Sequence, residues 1–227
     1  MDTVEYAPRR FADVFGEPGD PTLLVWHGTQ TDARGTVGPL CELLAERGFA
    51  VVAADWDSHA EDHGRADLLA SAEFAQGRSG GASGLAVVGW SLGAAAAAGL
   101  TLRAANYSVS VSHTVCLAGA FMAPDPISGE PLSALLATAP VGAGFTLLHG
   151  VDDDVVPAAA SRAFGDDLQQ AGWPVRVLEL PTDHGAIAGA RYDAAVDRYF
   201  PATDEHTHTV AADVADHIAA ALSPDAA

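Results

Sequence analysis

The sequence has 227 residues, 49% of them hydrophobic, which is enough for one domain with a deep core. Acidic residues outnumber basic ones by 30 to 11, and the net charge of −19 argues against nucleic acids and anionic membranes as partners. No apolar stretch reaches the length of a membrane span, and the first ten residues lack the apolar centre of a secretory signal, so we expect a cytoplasmic protein.

Short apolar runs alternate with helical patterns along the chain. Strands are predicted at 11–15, 22–26, 49–54, 109–117, 145–149 and 175–180, with a further one beginning at Leu85. Helices are predicted at 37–47, 65–76, 91–103, 131–137, 157–171 and 207–222, with a loop at 77–84. This alternation is typical of a mostly parallel sheet with helices on both faces, and we expect one α/β domain over residues 1–227.

The most informative segment is the pentapeptide Gly89-Trp90-Ser91-Leu92-Gly93. The apolar run from Leu85 enters it, and an alanine-rich helical run leaves it. G-x-S-x-G in this context is typical of a nucleophile elbow, a tight turn that lifts the serine hydroxyl above the edge of the sheet. The glycines leave room for the turn, and the following helix directs its first amides toward a developing anion. We therefore predict that Ser91 is a covalent nucleophile.

Three further segments, one before the elbow and two after it, carry motifs that match a known family. His27-Gly28 follows the strand at 22–26, the segment 149–157 reads His-Gly-Val-Asp-Asp-Asp-Val-Val-Pro, and Thr182-Asp183-His184-Gly185 follows the last predicted strand. With the elbow, they resemble the α/β-hydrolase family, close to its small dienelactone-hydrolase-like and carboxylesterase members, over about nine-tenths of the chain. Dienelactone hydrolases usually carry cysteine at the elbow, where this chain has Ser91. The roughly thirty residues between the strands at 109–117 and 145–149 are too few for a large lid.

The resemblance implies a role for each matching position. His184 would be the general base, and Asp153, three residues before Val156 in the acid loop, would hold the imidazole in the required tautomer. The backbone amides of Leu92 and Thr29 would form an oxyanion hole.

Several other residues leave alternatives open. Trp56 and Trp90 are candidates for the wall of a substrate pocket, and packing beneath the elbow is an equal alternative for Trp90. The polar run 204–208, which contains two histidines, either binds a metal or begins a helix, and we expect the helix start. Cys41 and Cys116 read as buried apolar residues. We expect no metal and no cofactor, because a serine–histidine–aspartate triad needs no Lewis acid.

The leading hypothesis is a serine esterase, a monomer or homodimer, that cleaves small soluble carboxylic esters through an acyl-enzyme. The same triad would serve a thioesterase, a dienelactone or other lactone hydrolase, or an amidase. A non-catalytic ligand-binding protein on this fold is the alternative from a different class. A complete triad argues against that alternative, because a receptor has no need of all three members.

Overall fold

The computed structural model describes residues 1–79 and 84–223. The strands are β1 (Asp2–Ala7), β2 (Arg10–Phe15), β3 (Thr22–Trp26), β4 (Ala50–Ala54), β5 (Leu85–Trp90), β6 (Val111–Leu117), β7 (Gly144–Gly150), β8 (Val175–Leu180), β9 (Ala190–Asp193) and β10 (Arg198–Pro201). The α-helices are α1 (Gly38–Glu46), α2 (Arg65–Arg78), α3 (Leu92–Leu102), α4 (Leu132–Leu136), α5 (Ala159–Gln170) and α6 (Glu205–Leu222).

Eight strands form one sheet in the order β1-β2-β4-β3-β5-β6-β7-β8. Strands β3 to β8 pair in parallel, whereas β1 and β2 are added antiparallel at one edge. Strands β9 and β10 form a separate antiparallel hairpin between β8 and α6. The predicted α/β architecture with a mostly parallel sheet is therefore confirmed.

Helices cover both faces of the sheet, because neighbouring side chains of a strand point to opposite faces. In β3, Leu23 and Val25 belong to the core under α1 and α6. Leu24 and Trp26 point the other way, toward α2 and α3. The core under α4 and α5 continues this second layer through the inward face of α3. Burial on both sides explains why β3 and β5 are continuous apolar runs.

Several boundaries differ from the sequence-based expectations. Strand β1 and the β9–β10 hairpin were not predicted, because each has one largely exposed side and no continuous apolar run. Helix α2 continues through Gly77 to Arg78, so the predicted loop at 77–84 begins too early, and residues 80–83 of it lie outside the described residues. Between β6 and β7 the only α-helix is the five-residue α4, as expected for a fold without a large lid.

Both cysteines are free and buried, Cys41 in α1 and Cys116 in β6, as expected from their apolar surroundings. Within residues 1–79 and 84–223, every helix is too short or too polar to cross a lipid bilayer.

Helix α3 fits closely against the loop that follows β6. A Cβ added at Gly99 would lie 2.1 Å from Cγ of Asp125. The Asp125 carboxylate is fully buried and accepts hydrogen bonds from the Ile127 amide at 3.0 Å, the Ser128 amide at 2.9 Å and the Ser128 hydroxyl at 2.7 Å. A group held by this many bonds cannot move aside cheaply, so the helix tolerates only glycine at this contact.

Two helical glycines should therefore respond in opposite ways to alanine. Gly99→Ala should lower the free energy of unfolding by about 2 kcal/mol or more, because the clash outweighs the gain of about 1 kcal/mol in helix propensity. Gly77→Ala should raise it by a few tenths of a kcal/mol, because an added Cβ at that exposed position meets no atom of the described residues within 4 Å. Urea unfolding followed by circular dichroism measures both, and a Gly99→Ala protein as stable as the wild type would contradict the packing argument.

Candidate active site

Ser91 occupies a strained turn between β5 and α3. Its backbone has φ 56° and ψ −118°, a positive φ that a residue with a side chain rarely adopts. A Cβ on Gly89 would lie 2.2 Å from the carbonyl oxygen of Gly93, and one on Gly93 would lie 2.3 Å from that of His27. The turn can therefore form only with glycine on both sides of the serine, and it leaves Ser91 9% exposed at the sheet edge.

Asp153 and His184 are in direct contact. The Nδ1 atom of His184 lies 2.7 Å from Oδ2 of Asp153, whose side chain is fully buried. The second carboxylate oxygen accepts the amides of Val155 at 2.9 Å and Val156 at 2.8 Å, which fix its orientation. With Nδ1 bonded to the carboxylate, Nε2 is the ring nitrogen of His184 that remains for proton transfer.

A second buried histidine also contacts Asp153. Nε2 of His149 lies 3.2 Å from the same Oδ2 and 2.9 Å from the carbonyl oxygen of Val156. Both partners are acceptors, so Nε2 carries the hydrogen, and Nδ1 accepts the Ser161 hydroxyl at 2.6 Å. The sequence analysis assigned no role to His149. The feature of the sequence that could have indicated this contact is that His149 stands four residues before Asp153.

The surroundings of Asp153 keep it ionised. Burial raises the pKa of the Asp153 carboxyl, but hydrogen bonds from His149, His184 and the Val156 amide lower it more, so its pKa lies well below the usual range. A permanent carboxylate at this position stabilises a positive charge on His184 and keeps the proton on Nδ1.

Trp90 connects the elbow to the histidine. Its indole N–H donates to the carbonyl oxygen of His184 at 2.8 Å, and the two ring centroids are 5.4 Å apart. With 2% of its surface exposed, Trp90 packs beneath the elbow and does not wall a pocket. Within the described residues, Ser91 Oγ makes no hydrogen bond to His184. The contact between serine and histidine is commonly the loosest of a triad and tightens during reaction.

His27 organises the loop that follows β3. It is fully buried, its Nδ1 donates to the carbonyl oxygen of Gly28 at 2.9 Å, and its Nε2 accepts the amides of Ala33 at 3.2 Å and Trp56 at 3.3 Å. Trp56 stacks on the imidazole and donates its indole N–H to the His27 carbonyl oxygen at 3.1 Å. Trp56 is 0% exposed, so the expectation that it lines a substrate pocket is wrong.

The two predicted oxyanion donors belong to segments that meet at the nucleophile. A Cβ added at Gly28 would lie 3.3 Å from Cβ of Ser91, so the loop carrying Thr29 rests against the elbow. The hydroxyl of Ser58 donates to the Thr29 carbonyl oxygen at 2.5 Å and holds that loop. Within the described residues, neither the Thr29 amide nor the Leu92 amide donates to a protein acceptor. Both amides can therefore bind an anion.

The β9–β10 hairpin closes the other side of the site through Tyr199, which sequence reasoning missed. The side-chain amide of Gln30 donates to the Tyr199 carbonyl oxygen at 3.1 Å and accepts the Tyr199 amide. The Tyr199 ring lies 5.0 Å from that of Trp90 and 5.9 Å from that of His184. Burial and the nearby carboxylates raise the pKa of Tyr199 to about 12, so its hydroxyl stays neutral.

The run 204–208 begins α6, as expected. Asp204 caps the helix by accepting the Thr207 amide at 2.9 Å, and His206 and His208 are exposed. Across the described part of the chain, no group of three or more His, Cys, Asp or Glu residues is arranged to hold a metal ion.

Comparison with known proteins identifies the fold. No protein-family profile and no curated protein sequence matches this chain. Among solved structures, it is similar to the esterase 2 of the planctomycete Thermogutta terrifontis. The form phosphorylated by paraoxon has a TM-score of 0.74 and 16% identity, covering 98% of this chain and 94% of that chain. The apo and propionate-bound forms have TM-scores of 0.72 and 0.70, each with 16% identity, covering 96% of this chain and 92% of those chains. The chain therefore has the α/β-hydrolase fold, as the sequence resemblance implied.

Substitution of the three neighbouring aspartates should give unequal effects. Asp153→Asn should lower kcat by about 10³- to 10⁴-fold, because an amide neither fixes the His184 tautomer nor stabilises its charge. Asp152→Asn and Asp154→Asn are matched controls at exposed positions and should each cost less than about tenfold. Steady-state kinetics with an activated ester measures all three, and a crippling effect at Asp152 or Asp154 would show that the acid is misassigned.

Burial of His27 should make the protein sensitive to mild acid. Burial lowers the pKa of His27 to about 4, whereas an unfolded histidine has a pKa of about 6.5. As the pH falls below 6.5, the unfolded state takes up a proton that the folded state excludes. This group's contribution to stability is complete above pH 6.5 and is lost progressively down to pH 4, by about 3 kcal/mol in total. Urea unfolding at several pH values should give a steeper slope for the wild type than for His27→Gln, and equal slopes would contradict the assignment.

Proposed function

We propose that this protein is a serine hydrolase that cleaves small carboxylic esters through an acyl-enzyme intermediate. Ser91 is the nucleophile, His184 the general base and acid, and Asp153 the carboxylate that orients the imidazole. The observation that carries the proposal is the 2.7 Å hydrogen bond between His184 and Asp153 at the same sheet edge as the strained Ser91 elbow. A strained residue that is held between two obligatory glycines is costly to a fold, and such strain concentrates at functional sites.

The first half of the reaction acylates the serine. His184 Nε2 takes the proton of Ser91 as Oγ attacks the ester carbonyl carbon, and the charge of Asp153 stabilises the imidazolium. The negative oxygen of the tetrahedral intermediate receives hydrogen bonds from the Leu92 and Thr29 amides. Collapse breaks the bond between the carbonyl carbon and the alcohol oxygen, and His184 returns its proton to that oxygen, which leaves as the alcohol.

The second half releases the acid. His184 removes a proton from a water molecule, whose oxygen attacks the acyl carbon, and the same two amides stabilise the second oxyanion. The bond between that carbon and Ser91 Oγ then breaks, Oγ regains its proton from His184, and the carboxylic acid is released.

The similarity to Thermogutta terrifontis esterase 2 supports this reaction class, because that protein is described as an esterase and as phosphorylated by paraoxon. We extend both properties to this chain as proposals. Hydrolysis of thioesters, of lactones such as dienelactones, or of activated amides needs the same groups, and a panel of such substrates distinguishes them. A non-catalytic ligand-binding protein is the alternative from another class. Covalent labelling of Ser91 together with ester hydrolysis would exclude this alternative.

The composition of the chain supports proposals about the substrate class and the cellular location of the protein. A net charge of −19 favours small-molecule substrates over nucleic acids, because phosphate backbones would be repelled. The two free, buried cysteines fit a cytoplasmic location, where thiols stay reduced. We propose a single domain over residues 1–227 that acts as a monomer or homodimer without metal or cofactor.

Labelling with a fluorophosphonate tests the proposal directly. The wild type should be labelled stoichiometrically at Ser91 and should hydrolyse p-nitrophenyl esters. Ser91→Ala should not be labelled and should lose kcat by a factor on the order of 10⁴ or more, because no nucleophile remains.

The matched control is Ser112→Ala, which removes a hydroxyl from an exposed position of β6. It should keep both labelling and activity. Near-full activity of a folded Ser91→Ala protein, or labelling of a different serine, would overturn the assignment of the nucleophile.

A further inference from the structure

Residues of the proposed site line two grooves, Leu92 in one and His184 in the other, and the grooves differ in chemistry. The first, which we call the Leu92 groove, has a volume of about 320 Å³ and is lined mainly by Ser58, His63, Leu92, Ala123, Pro124 and Pro126. The second, the His184 groove, has a volume of about 570 Å³ and is lined by polar and aromatic groups that include Asp154, Asp183, His184, Arg191 and Tyr199. Volumes of this order are usual for small-molecule sites.

The Leu92 groove opens beside the proposed oxyanion hole. Leu92, whose amide is one proposed donor, forms one wall of the groove. Ser58 also lines the groove, and its hydroxyl holds the loop of the second proposed donor, Thr29. An ester whose carbonyl oxygen binds both amides therefore has one of its two substituents at the mouth of this groove.

The position of the general acid decides which substituent this is. His184 must reach the alcohol oxygen to protonate it, so the alcohol part lies on the side of His184. His184 lines the second groove and is not among the residues that line the Leu92 groove. The acyl part must then point away from His184, toward Leu92.

The lining of the Leu92 groove suits an apolar group. Leu92, Ala123, Pro124 and Pro126 present hydrocarbon surface. The one carboxylate of the lining, Asp125, is fully buried, and its oxygens are occupied by Ile127 and Ser128. Ser58 and His63 are the other polar side chains of the lining, and most of the remaining surface is hydrocarbon, so an apolar acyl group gains more from burial there than a polar one.

We propose that the Leu92 groove binds the acyl part of the substrate and selects a short apolar acyl group. This inference rests on the proposed ester hydrolysis. The volume of the groove is that of about ten water molecules, or roughly ten carbon atoms, which is too small for a whole long fatty-acid chain.

The test is a larger side chain in the wall of the Leu92 groove. Ala123 is half-buried in its wall, so Ala123→Leu shortens the space available to the acyl chain. With p-nitrophenol as the constant alcohol, the ratio of kcat/KM for hexanoate to that for acetate should fall at least about tenfold, since each methylene bound in such a pocket contributes about 10- to 200-fold. Circular dichroism and thermal unfolding establish that the variant is folded.

The matched control makes the same substitution in a neighbouring groove. Ala123 also borders a groove lined by Met122, Leu132, Ala160 and Phe164, and Ala160 does not line the Leu92 groove. Ala160→Leu should leave the hexanoate-to-acetate ratio within about twofold of the wild type. An unchanged ratio in Ala123→Leu, or an equal change in both variants, would overturn the assignment of the groove.

A variant that widens the groove keeps the proposal testable if Ala123→Leu does not fold. Leu92→Ala removes a wall, and its ratio of kcat/KM for octanoate to that for butyrate should rise, whatever its absolute activity. A ratio that does not rise counts against the groove assignment. Failure of the proposed function gives a different result, because then the wild type hydrolyses none of the esters or Ser91→Ala remains active.

Discussion

The contact between Gly93 and the chain leaving β3 constrains the rest of the site. A Cβ at Gly93 would lie 2.3 Å from the His27 carbonyl oxygen and 2.7 Å from that of Trp26, so the backbones of two separate segments touch. The first turn of α3 and the Thr29 loop therefore cannot shift independently. The backbone amides of Leu92 and Thr29 are thus held at a fixed position relative to each other. The positive φ of Ser91 follows from the same constraint, since the chain must pass from β5 into α3 without colliding with β3.

Three buried histidines at this sheet edge differ only in their partners. His27 accepts two amides and stays neutral, which makes it a structural centre of the loop after β3. His149 donates to Asp153 and to a carbonyl oxygen, so it holds the carboxylate in place. His184 also donates to Asp153, but within the described residues its second nitrogen makes no hydrogen bond, so in the proposed mechanism that nitrogen exchanges a proton with Ser91. Hydrogen bonding, and not burial, therefore decides which of the three can act in catalysis.

The parts of the structure that follow from local sterics and burial could be predicted from the sequence. Strands β3, β4, β5 and β7 are largely apolar because they are buried in the sheet, and Ser91 stands out because only glycine fits beside it. The parts that depend on distant partners could not. An aromatic residue after a strand looks the same whether it faces a pocket or the core, and the partner that fixes Trp56, His27, is 29 residues away. Tyr199 is held by Gln30 across 169 residues, and nothing local marks either residue.

That pairing of Gln30 with Tyr199 has a consequence for how molecules reach the site. The side chain of Gln30 binds both the amide and the carbonyl of one residue, as a neighbouring strand would, and so fastens the hairpin to the Thr29 loop. Swinging the hairpin outward would break both bonds and separate the Tyr199 ring from Trp90 and His184. The hairpin is therefore a fixed wall and not a flap. On the proposed function, substrate and product would therefore enter and leave along the Leu92 and His184 grooves, without a change in the backbone of the hairpin.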